Sequence, residues 1–405
     1  MTPHRSLLLL LFPFLLANCS TKPSPAAAAA EASRATPAPP LAVLRADSEP
    51  ERAALDEAFL GVTTDGSVVP GLYTLQATGV STAPLVEAVR TFRAALTDEQ
   101  RAASSFPLED EEWRRWTNID INYYKRQGIG LNELSPAQRE LGLNILRAGL
   151  SPQGFRKTEE IRKMEGYLGR LTGEFEVVGP DLYWFTFMGE PSETEPWGWQ
   201  FDGHHLIINY FVVGDQVVMT PTFLGSEPNY IEDGDGAGTR TFAGEEELGV
   251  KLYRSLDKRQ RAAATLHDRK EENYAQASAF RDNAVVPYAG VRVSTFTSAQ
   301  RAILNELLGE YINNMDEGHA RIKMAEVQQH LPDTWFAWVG DVEAIGPFYY
   351  RIQSPVILIE FDHQRPIFLE GDLPTRAHVH TLVRTPNGND YGKDLLGQHL
   401  ARHPH

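Results

Sequence analysis

The sequence predicts an α+β fold that is internally duplicated, with two halves that each consist of a helical block and an antiparallel meander, packed about a pseudo-twofold axis. One observation behind this is a phrase that occurs four times, and the other is an aromatic, strand-like segment that occurs twice. The phrases are LTDEQRAA at 96–103, LSPAQREL at 134–141, LDKRQRAA at 256–263 and FTSAQRAI at 296–303. Pseudo-repeats are therefore expected at about 96–229 and 256–390, within a single body at 45–405.

Each phrase predicts the start of a helix. A capping residue (Thr97, Ser135, Asp257 or Thr297) stands three positions before a glutamine, which is the pattern of a capping box. The two phrases of the first half begin 38 residues apart, and those of the second half begin 40 residues apart. Apolar periodicity predicts helices near 48–60, 81–94, 97–104, 135–148, 156–170, 244–255, 257–265, 298–314 and 316–329.

The strand-like segments follow the helical blocks. WFTFMGE at 184–190 aligns without a gap with WFAWVGD at 335–341, and the alignment continues to LIINY at 206–210 and ILIEF at 357–361. Gly214-Asp215 between two apolar runs indicates a tight hairpin turn. These patterns predict antiparallel strands near 175–178, 182–188, 197–201, 204–213, 216–222, 335–340, 348–353, 355–361 and 377–384.

The N-terminus predicts export and a lipid anchor. Arg5 precedes an apolar run of about ten residues, which suits a signal peptide and is too short to cross a bilayer of about 30 Å. The residues that end at Cys19 resemble a lipobox, although Asn18 departs from the small residue that is usual there. Cys19 is the only cysteine, so the chain cannot form an internal disulfide. We expect a signal peptide at 1–19 and acylation of Cys19, with plain secretion as the alternative.

Residues 20–44 are rich in Ala, Pro and Ser and offer little to bury, so they are expected to form a disordered tether. Ser20 resembles the outer-membrane sorting signal of cells with two membranes. No later run is long enough to span a bilayer, so the acyl group is the only membrane contact that we expect. The formal net charge of −16 argues against nucleic-acid binding, which needs clustered Lys and Arg. We therefore expect a lipid-anchored protein of the cell envelope.

The candidate metal ligands are the five histidines that lie in the two predicted meanders. His378 and His380 are two residues apart on a predicted strand, so both project from one face and can converge on one ion. Neighbouring residues of a strand point in opposite directions, so only one of His204 and His205 can join them, and His363 is the other candidate. The pattern predicts a divalent metal site, with zinc as the first choice.

Acidic and basic residues near these histidines are candidates for catalysis. Glu360 and Asp362 share the two-residue spacing and are the candidate general base or a further ligand. Arg384 is the candidate that positions an anionic group, and Glu227 is a candidate substrate contact. Two alternatives stay open: the histidines and carboxylates only hydrogen-bond to one another, or one of each forms an acid–base pair without a metal.

The loop RTPNGNDYG at 384–392 is rich in turn residues, and its Asn387, Asn389 and Tyr391 are further candidate substrate contacts. DGDGAG at 233–238 lacks the later acidic ligands of a calcium loop, so we expect a flexible turn. The chain contains no GxSxG, Walker, Rossmann, HExxH or CxxC motif. Their absence removes the best-known hydrolase, nucleotide-binding, zinc-protease and redox classes.

Four segments carry a resemblance to a known family. WGWQFDGHHL, PTFLGSEPN, ILIEFDHQ and HVHTLVRTPNGNDYGKDLL resemble the uncharacterised family called domain of unknown function 3500. The similarity covers the body from about residue 50 to the end. It implies one continuous domain in an exported protein and carries over no activity.

The sequence therefore predicts an exported metal-dependent enzyme, a hydrolase that acts on a small exogenous substrate. In this interpretation the histidines hold the ion, and the ion lowers the pKa of a bound water. The alternative is a non-catalytic, lipid-tethered protein that binds a ligand between its halves, and an envelope scaffold is a third. Convergence of the histidines in space separates the first two hypotheses from the third.

Overall fold

The computed structural model describes residues 49–342 and 346–403. The predicted signal peptide, Cys19 and the predicted tether lie outside the described residues. Within the chain, Val43–His405 forms one unit, to which everything below belongs. Among the described residues, no helix is both long and apolar enough to cross a bilayer.

Nine of the ten α-helices of the described residues follow the predicted order, and all four expected capping boxes are present. A further helix at the C-terminus was not predicted. The helices are α1 (Glu49–Asp56), α2 (Ala83–Ala95), α3 (Asp98–Ser104), α4 (Pro136–Gly149), α5 (Pro152–Thr172), α6 (Ala243–Ser255), α7 (Lys258–Ala264), α8 (Ser298–Ile312), α9 (Glu317–Gln329) and α10 (Lys393–Arg402).

Thirteen strands of the described residues belong to one mixed sheet, so the fold class is α+β as predicted. The strands are β1 (Ser105–Phe106), β2 (Ile129–Gly130), β3 (Tyr183–Met188), β4 (Trp197–Gly203), β5 (Leu206–Val213), β6 (Gln216–Val218), β7 (Thr222–Ser226), β8 (Thr265–His267), β9 (Val291–Arg292), β10 (Trp335–Val339), β11 (Tyr349–Gln353), β12 (Leu358–His363) and β13 (Val379–Arg384).

The strand order along the sheet is β1-β3-β4-β5-β7-β13-β12-β11-β10-β8. Among the strand pairs that the structure describes, only β1–β3 and β8–β10 are parallel. From either edge inward, a short parallel strand precedes a three-stranded antiparallel meander and then one of the two central strands. The central pair β7–β13 therefore joins the first meander to the second.

The helix starts of each half are joined through their capping glutamines. The Gln138 amide donates to the Gln100 side-chain oxygen at 2.9 Å, so α3 and α4 are joined at their N-termini. The Gln300 amide donates to the Gln260 oxygen at 2.8 Å and joins α7 to α8 in the same way. The recurring phrase therefore specifies a helix start together with the contact between two such starts.

Aromatic side chains on one face of the sheet pack against the helices. Trp199 stacks on Tyr210 with ring centroids 4.9 Å apart, and a Cβ added at Gly149 of α4 would lie 3.2 Å from Trp199. In the second half, a Cβ added at Gly249 of α6 would lie 2.5 Å from Tyr350. In both helices a glycine lets the backbone come close to an aromatic ring of the sheet. The hydrophobic core therefore lies between the helices and this face of the sheet.

Three expectations about strands are wrong. The range 216–222 is not one strand, because β6 ends at Val218 and β7 begins only at Thr222. Residues 175–178 form a turn, because Val177 and Val178 both donate backbone hydrogen bonds to the Glu174 carbonyl. The strand expected at 204–213 begins only at Leu206, since Gly203 pairs with Leu206 and leaves His204 and His205 as a two-residue turn. This turn positions the candidate site.

Candidate metal centre

Three histidines from two distant parts of the chain converge at one end of the central strands. His378 directly precedes β13 and His380 is its second residue, so the two lie two residues apart and on one face. His205 lies in the turn between β4 and β5, where its backbone adopts φ +62°. A side chain is strained in this region, so the fold holds His205 in place against a local cost. These three residues are called the histidine centre below.

The three imidazoles meet through their Nε2 atoms. The His378 Nε2 lies 2.9 Å from that of His380 and 3.3 Å from that of His205. One ligand atom from each residue falls within 4.8 Å of the other two. In a tetrahedral zinc site with Zn–N bonds of about 2.05 Å, ligand nitrogens lie about 3.3 Å apart. The spacing of the histidine centre therefore suits a divalent ion with nitrogen ligands.

The other ring nitrogens set the protonation of two of these imidazoles. The His378 Nδ1 lies 2.6 Å from the Arg365 carbonyl oxygen, which can only accept, so Nδ1 carries the proton. The His205 Nδ1 faces a Glu165 carboxylate oxygen at 2.6 Å and donates to it. In the neutral rings the Nε2 atoms of His205 and His378 therefore carry no proton. Their lone pairs face each other and repel. A cation between them would remove this repulsion.

Glu165 is the buried carboxylate behind the turn. It projects from α5, is 1% exposed, and its second oxygen accepts from His204 Nδ1 at 2.8 Å. Burial raises the pKa of Glu165, but the charges and hydrogen bonds of His204 and His205 outweigh burial and bring that pKa to about 2. The anionic Glu165 fixes the His205 ring, as carboxylates behind metal-bound histidines commonly do.

The histidine centre favours neutral rings. Burial, followed by the nearby His204, lowers the pKa of His205 to about 4. Burial and then the neighbouring imidazoles lower the pKa of His378 and His380 well below the ordinary value. Metal ligation needs neutral imidazoles, so the ligands are ready to bind an ion at neutral pH.

The three members of the histidine centre differ in exposure and are closely packed by their neighbours. His205 and His378 are buried, while His380 is partly exposed. A Cβ added at Gly225 would lie 2.8 Å from the His205 ring and 3.0 Å from the His380 ring, so only glycine leaves room for both rings. The Phe223 ring packs edge-on against His380, with centroids 4.8 Å apart. Of the three histidines, His380 is therefore the one with the most exposed surface.

Glu227, predicted as a substrate contact, holds the loop beside the centre. Its carboxylate accepts backbone hydrogen bonds from Ile367, Phe368 and Leu369, and one oxygen lies 3.8 Å from His378 Nδ1. Burial raises the pKa of Glu227, and the same three amides oppose that rise. Glu227 thus stabilises the segment whose Arg365 carbonyl orients His378.

The structure does not bring the other two candidate ligands to the centre. The His204 Nδ1 bonds to Glu165, and its ring centroid lies 3.8 Å from that of the His205 ring. His204 therefore belongs to a second group, Glu165, His204 and His205, whose ligand atoms also lie within 4.8 Å of one another. His363 donates from Nε2 to Glu246 at 2.7 Å, and its Nδ1 accepts from the Phe348 amide. Both nitrogens of His363 are occupied by protein groups, so it has no free ligand atom.

The candidate carboxylates are held by other partners. Asp362 lies directly opposite His380 in the sheet, but its oxygens bond to Lys270 and to the Tyr274 and Ala275 amides. Burial raises the pKa of Asp362 to about 6. Glu360 accepts from two backbone amides and from the Tyr349 hydroxyl. Neither has a free oxygen directed at the three imidazoles.

Arg384 and the loop residues form a separate buried network. The Arg384 guanidinium is 0% exposed and bonds to Asp282, Asp390 and two backbone carbonyls. The Tyr391 hydroxyl donates to Asp282 and accepts from Trp116. The amide groups of Asn387 and Asn389 bond to backbone atoms of neighbouring segments. Arg384, Asn387 and Tyr391 are therefore bonded to protein groups on each of their polar ends, and the Asn389 oxygen accepts one hydrogen bond from the Leu395 amide.

Sequence reasoning missed Glu165 and the Arg365 carbonyl. Glu165 stands among Ile161, Met164 and Leu168, which are all fully buried on α5. A glutamate on the apolar face of a helix must be paired, and this signal could have identified it. A backbone carbonyl in a loop leaves no comparable signal.

Comparison with known proteins yields one match. No curated protein and no solved structure matches the chain. A family model described as "Protein of unknown function (DUF3500)" matches residues 78–393. The matched residues include Glu165 and all three members of the histidine centre. The match covers most of the chain, and the protein therefore belongs to this family, the same one that the four sequence segments resemble.

Proposed function

We propose that the protein is a metal-dependent enzyme, a hydrolase, whose histidine centre holds one divalent ion, with zinc as the first choice. The observation that carries this proposal is the convergence of three Nε2 atoms, two of them unprotonated, at separations of 2.9 and 3.3 Å. Three protein ligands leave a fourth position free, which is typical of catalytic rather than structural zinc.

In this proposal each residue has a defined task. His205, His378 and His380 ligate the ion, while Glu165 and the Arg365 carbonyl fix the orientation of two of the rings. The ion supplies a Lewis acid and lowers the pKa of water. Partly exposed His380 borders the route by which a small substrate reaches the ion, and Phe223 lines this route. Asp362 and Glu360 are left without a catalytic task because their oxygens bond to other groups.

Metal analysis of the purified protein tests the centre directly. After supplementation with zinc we expect about one ion per chain in the natural protein and less than about 0.2 in His378→Ala and His380→Ala. His363→Ala is the matched control, because this equally buried histidine uses both nitrogens within the protein, and it should keep the ion. A natural protein that holds less than about 0.2 ions per chain would overturn the proposal.

Turnover separates the enzyme from the ligand-binding alternative. Chromogenic carboxylic and phosphate esters are suitable probes, because metal-polarised water attacks both. We expect hydrolysis that is lost with chelator, restored with zinc, and absent in His378→Ala. An ion that binds stoichiometrically without hydrolysis of any such probe would favour the non-catalytic ligand-binding protein.

We also propose that the protein is exported and acylated at Cys19, which rests on the lipobox-like residues before the only cysteine. In cells fed labelled palmitate, the natural protein should incorporate label and Cys19→Ala should not. Label in Cys19→Ala, or its absence from the natural protein, would contradict acylation.

We infer that the two halves arose by duplication about a pseudo-twofold axis. The strand order that reads alike from both edges supports this, as do the two matching glutamine pairs. The turn that contains His204 and His205 aligns with Pro355 and Val356 in the second half. On this view one half gained the metal ligand where the other kept an apolar turn.

A further inference from the structure

A cavity of about 360 Å³ lies against the opposite face of the two central strands from the histidine centre. Thr222 and Leu224 of β7 and Thr381 and Val383 of β13 line it. Gly225 and His380 alternate with these residues and face the histidine centre instead. The cavity is therefore separated from the metal ligands by a single layer of sheet.

The opposite wall of the cavity is one face of α9. His319, Ile322, Lys323 and Glu326 project into it at helical spacing, and the exposed residues Gln76 and Ala325 also line it. The cavity thus reaches the surface along α9. Its volume falls within the range of natural small-molecule sites, which is about 300–1,000 Å³.

The charged groups on the wall already have partners. The Lys323 ammonium lies 2.9 Å from the Val356 carbonyl and 3.2 Å from a Glu326 oxygen. The Thr222 and Thr381 hydroxyls both donate to backbone carbonyls. A charged ligand would have to break these bonds, so the lining favours a neutral molecule.

One buried acceptor on the wall lacks a partner. Asn314 is 5% exposed, and its amide nitrogen donates to the Glu310 carbonyl at 3.1 Å. Its Oδ1 has no hydrogen-bond partner among the described residues. This oxygen has almost no exposed surface, so it can accept a hydrogen bond from a ligand only after the Asn314 side chain turns toward the cavity. An unsatisfied buried oxygen costs about 1–3 kcal/mol, and such a bond would recover this cost.

We propose that this cavity is a second ligand site, independent of the metal, for a neutral and largely apolar small molecule that carries one hydrogen-bond donor. The apolar body of the ligand contacts Leu224 and Val383, and its donor bonds to the Asn314 Oδ1. The site does not depend on the proposed hydrolase activity, since it uses none of the metal ligands.

The probe for this site is N-phenyl-1-naphthylamine, a neutral aromatic amine with one N–H whose fluorescence increases when it leaves water. We expect saturable binding of one probe per full-length protein. Ala325→Trp should block the mouth and weaken binding at least about 10-fold, whereas Arg321→Trp, exposed on the same helix and outside the lining, should not. Asn314→Leu should weaken binding by about 5–10-fold through loss of the acceptor.

The same titration separates this site from the histidine centre. His378→Ala should bind the probe like the natural protein, even though it loses the ion. Val383→Phe fills the cavity from the sheet side and should also weaken binding. The proposal is overturned if the probe does not saturate, if Ala325→Trp binds it normally, or if His378→Ala abolishes binding.

Discussion

Two buried polar clusters in the protein differ in how completely their groups are paired. In the Arg384 network, formed by Arg384, Asp282, Asp390, Arg114 and Tyr391, each charged group meets an opposite charge or a hydrogen-bond partner at 2.8–3.2 Å. In the histidine centre, two imidazole lone pairs face each other with no proton between them. The charged groups of the Arg384 network are all paired within the protein, so this cluster stabilises the fold. A cation at the proposed metal site would complete the second cluster, and this difference is why we propose a metal there and not in the Arg384 network.

The largest expected effect comes from removing the arginine of the Arg384 network. Arg384→Met leaves Asp282 and Asp390 without their shared cation in a fully buried place, so we expect the free energy of unfolding to fall by about 3–5 kcal/mol. Urea unfolding measures this loss. Arg147→Met is the control, because its ion pair with Glu140 is exposed and should contribute less than about 1 kcal/mol. A loss in Arg384→Met no larger than in the control would contradict the assignment.

Acid should weaken the metal-free protein through the histidine centre. The unfolded His205 takes up a proton below its ordinary pKa of 6.5, whereas the folded residue does so only below about 4. The unfolded state therefore binds more protons between these values, and the free energy of unfolding should fall by about 3 kcal/mol from pH 6.5 to pH 4. Urea unfolding in the presence of chelator at several pH values measures the slope. His205→Gln should show a shallower slope, and the slope that remains comes from His378 and His380, whose pKa values are also lowered. An equally steep slope in His205→Gln would show that His205 does not contribute.

The next effect concerns the group behind the ligands. Glu165→Gln keeps the shape of the side chain but removes the charge that fixes the His205 ring, so the Kd for zinc should rise about 10–100-fold. Competition with a chromogenic chelator measures the Kd. Glu160→Gln on the same helix is the matched control and should leave it unchanged. Equal values for both variants would assign Glu165 a purely structural role.

The smallest effect tests the strain at the turn. His205→Ala and His205→Gly both lose the ligand, but only glycine relieves the positive φ of +62°. In metal-free protein we expect His205→Gly to be more stable than His205→Ala by about 1 kcal/mol. Thermal unfolding in chelator compares the two. The opposite order would mean that the turn is not strained.

The sequence predicted those features that depend on neighbouring residues. The capping glutamines fixed four helix starts, and the two-residue spacing of His378 and His380 placed both on one face of a strand. The aligned aromatic segments identified the two meanders. Each of these signals lies within one turn of a helix or one strand, where periodicity decides the structure.

The rest depends on contacts between distant segments. Glu165 bonds to His205, which is 40 residues away in the chain, and the residues around Glu165 in α5 do not predict this contact. Glu360 and Asp362 share the predicted strand face with His380, yet backbone amides of residues 274–277 occupy their oxygens. Arg384 was predicted to meet an anionic substrate, whereas Asp282 and Asp390 already neutralise it. A pattern in the sequence locates polar residues, but it does not show which of them find hydrogen-bond or ion-pair partners within the protein.

An ion in the histidine centre would also connect two distant segments of the chain. His205 and His378 are separated by 173 residues and come from the two sides of the central strand pair. An ion bound to both would act as a cross-link that closes a loop of that length, and it would lower the entropy of the unfolded chain accordingly. Loss of the ion would then destabilise the contact between the first meander and β13 before it affected either edge of the sheet.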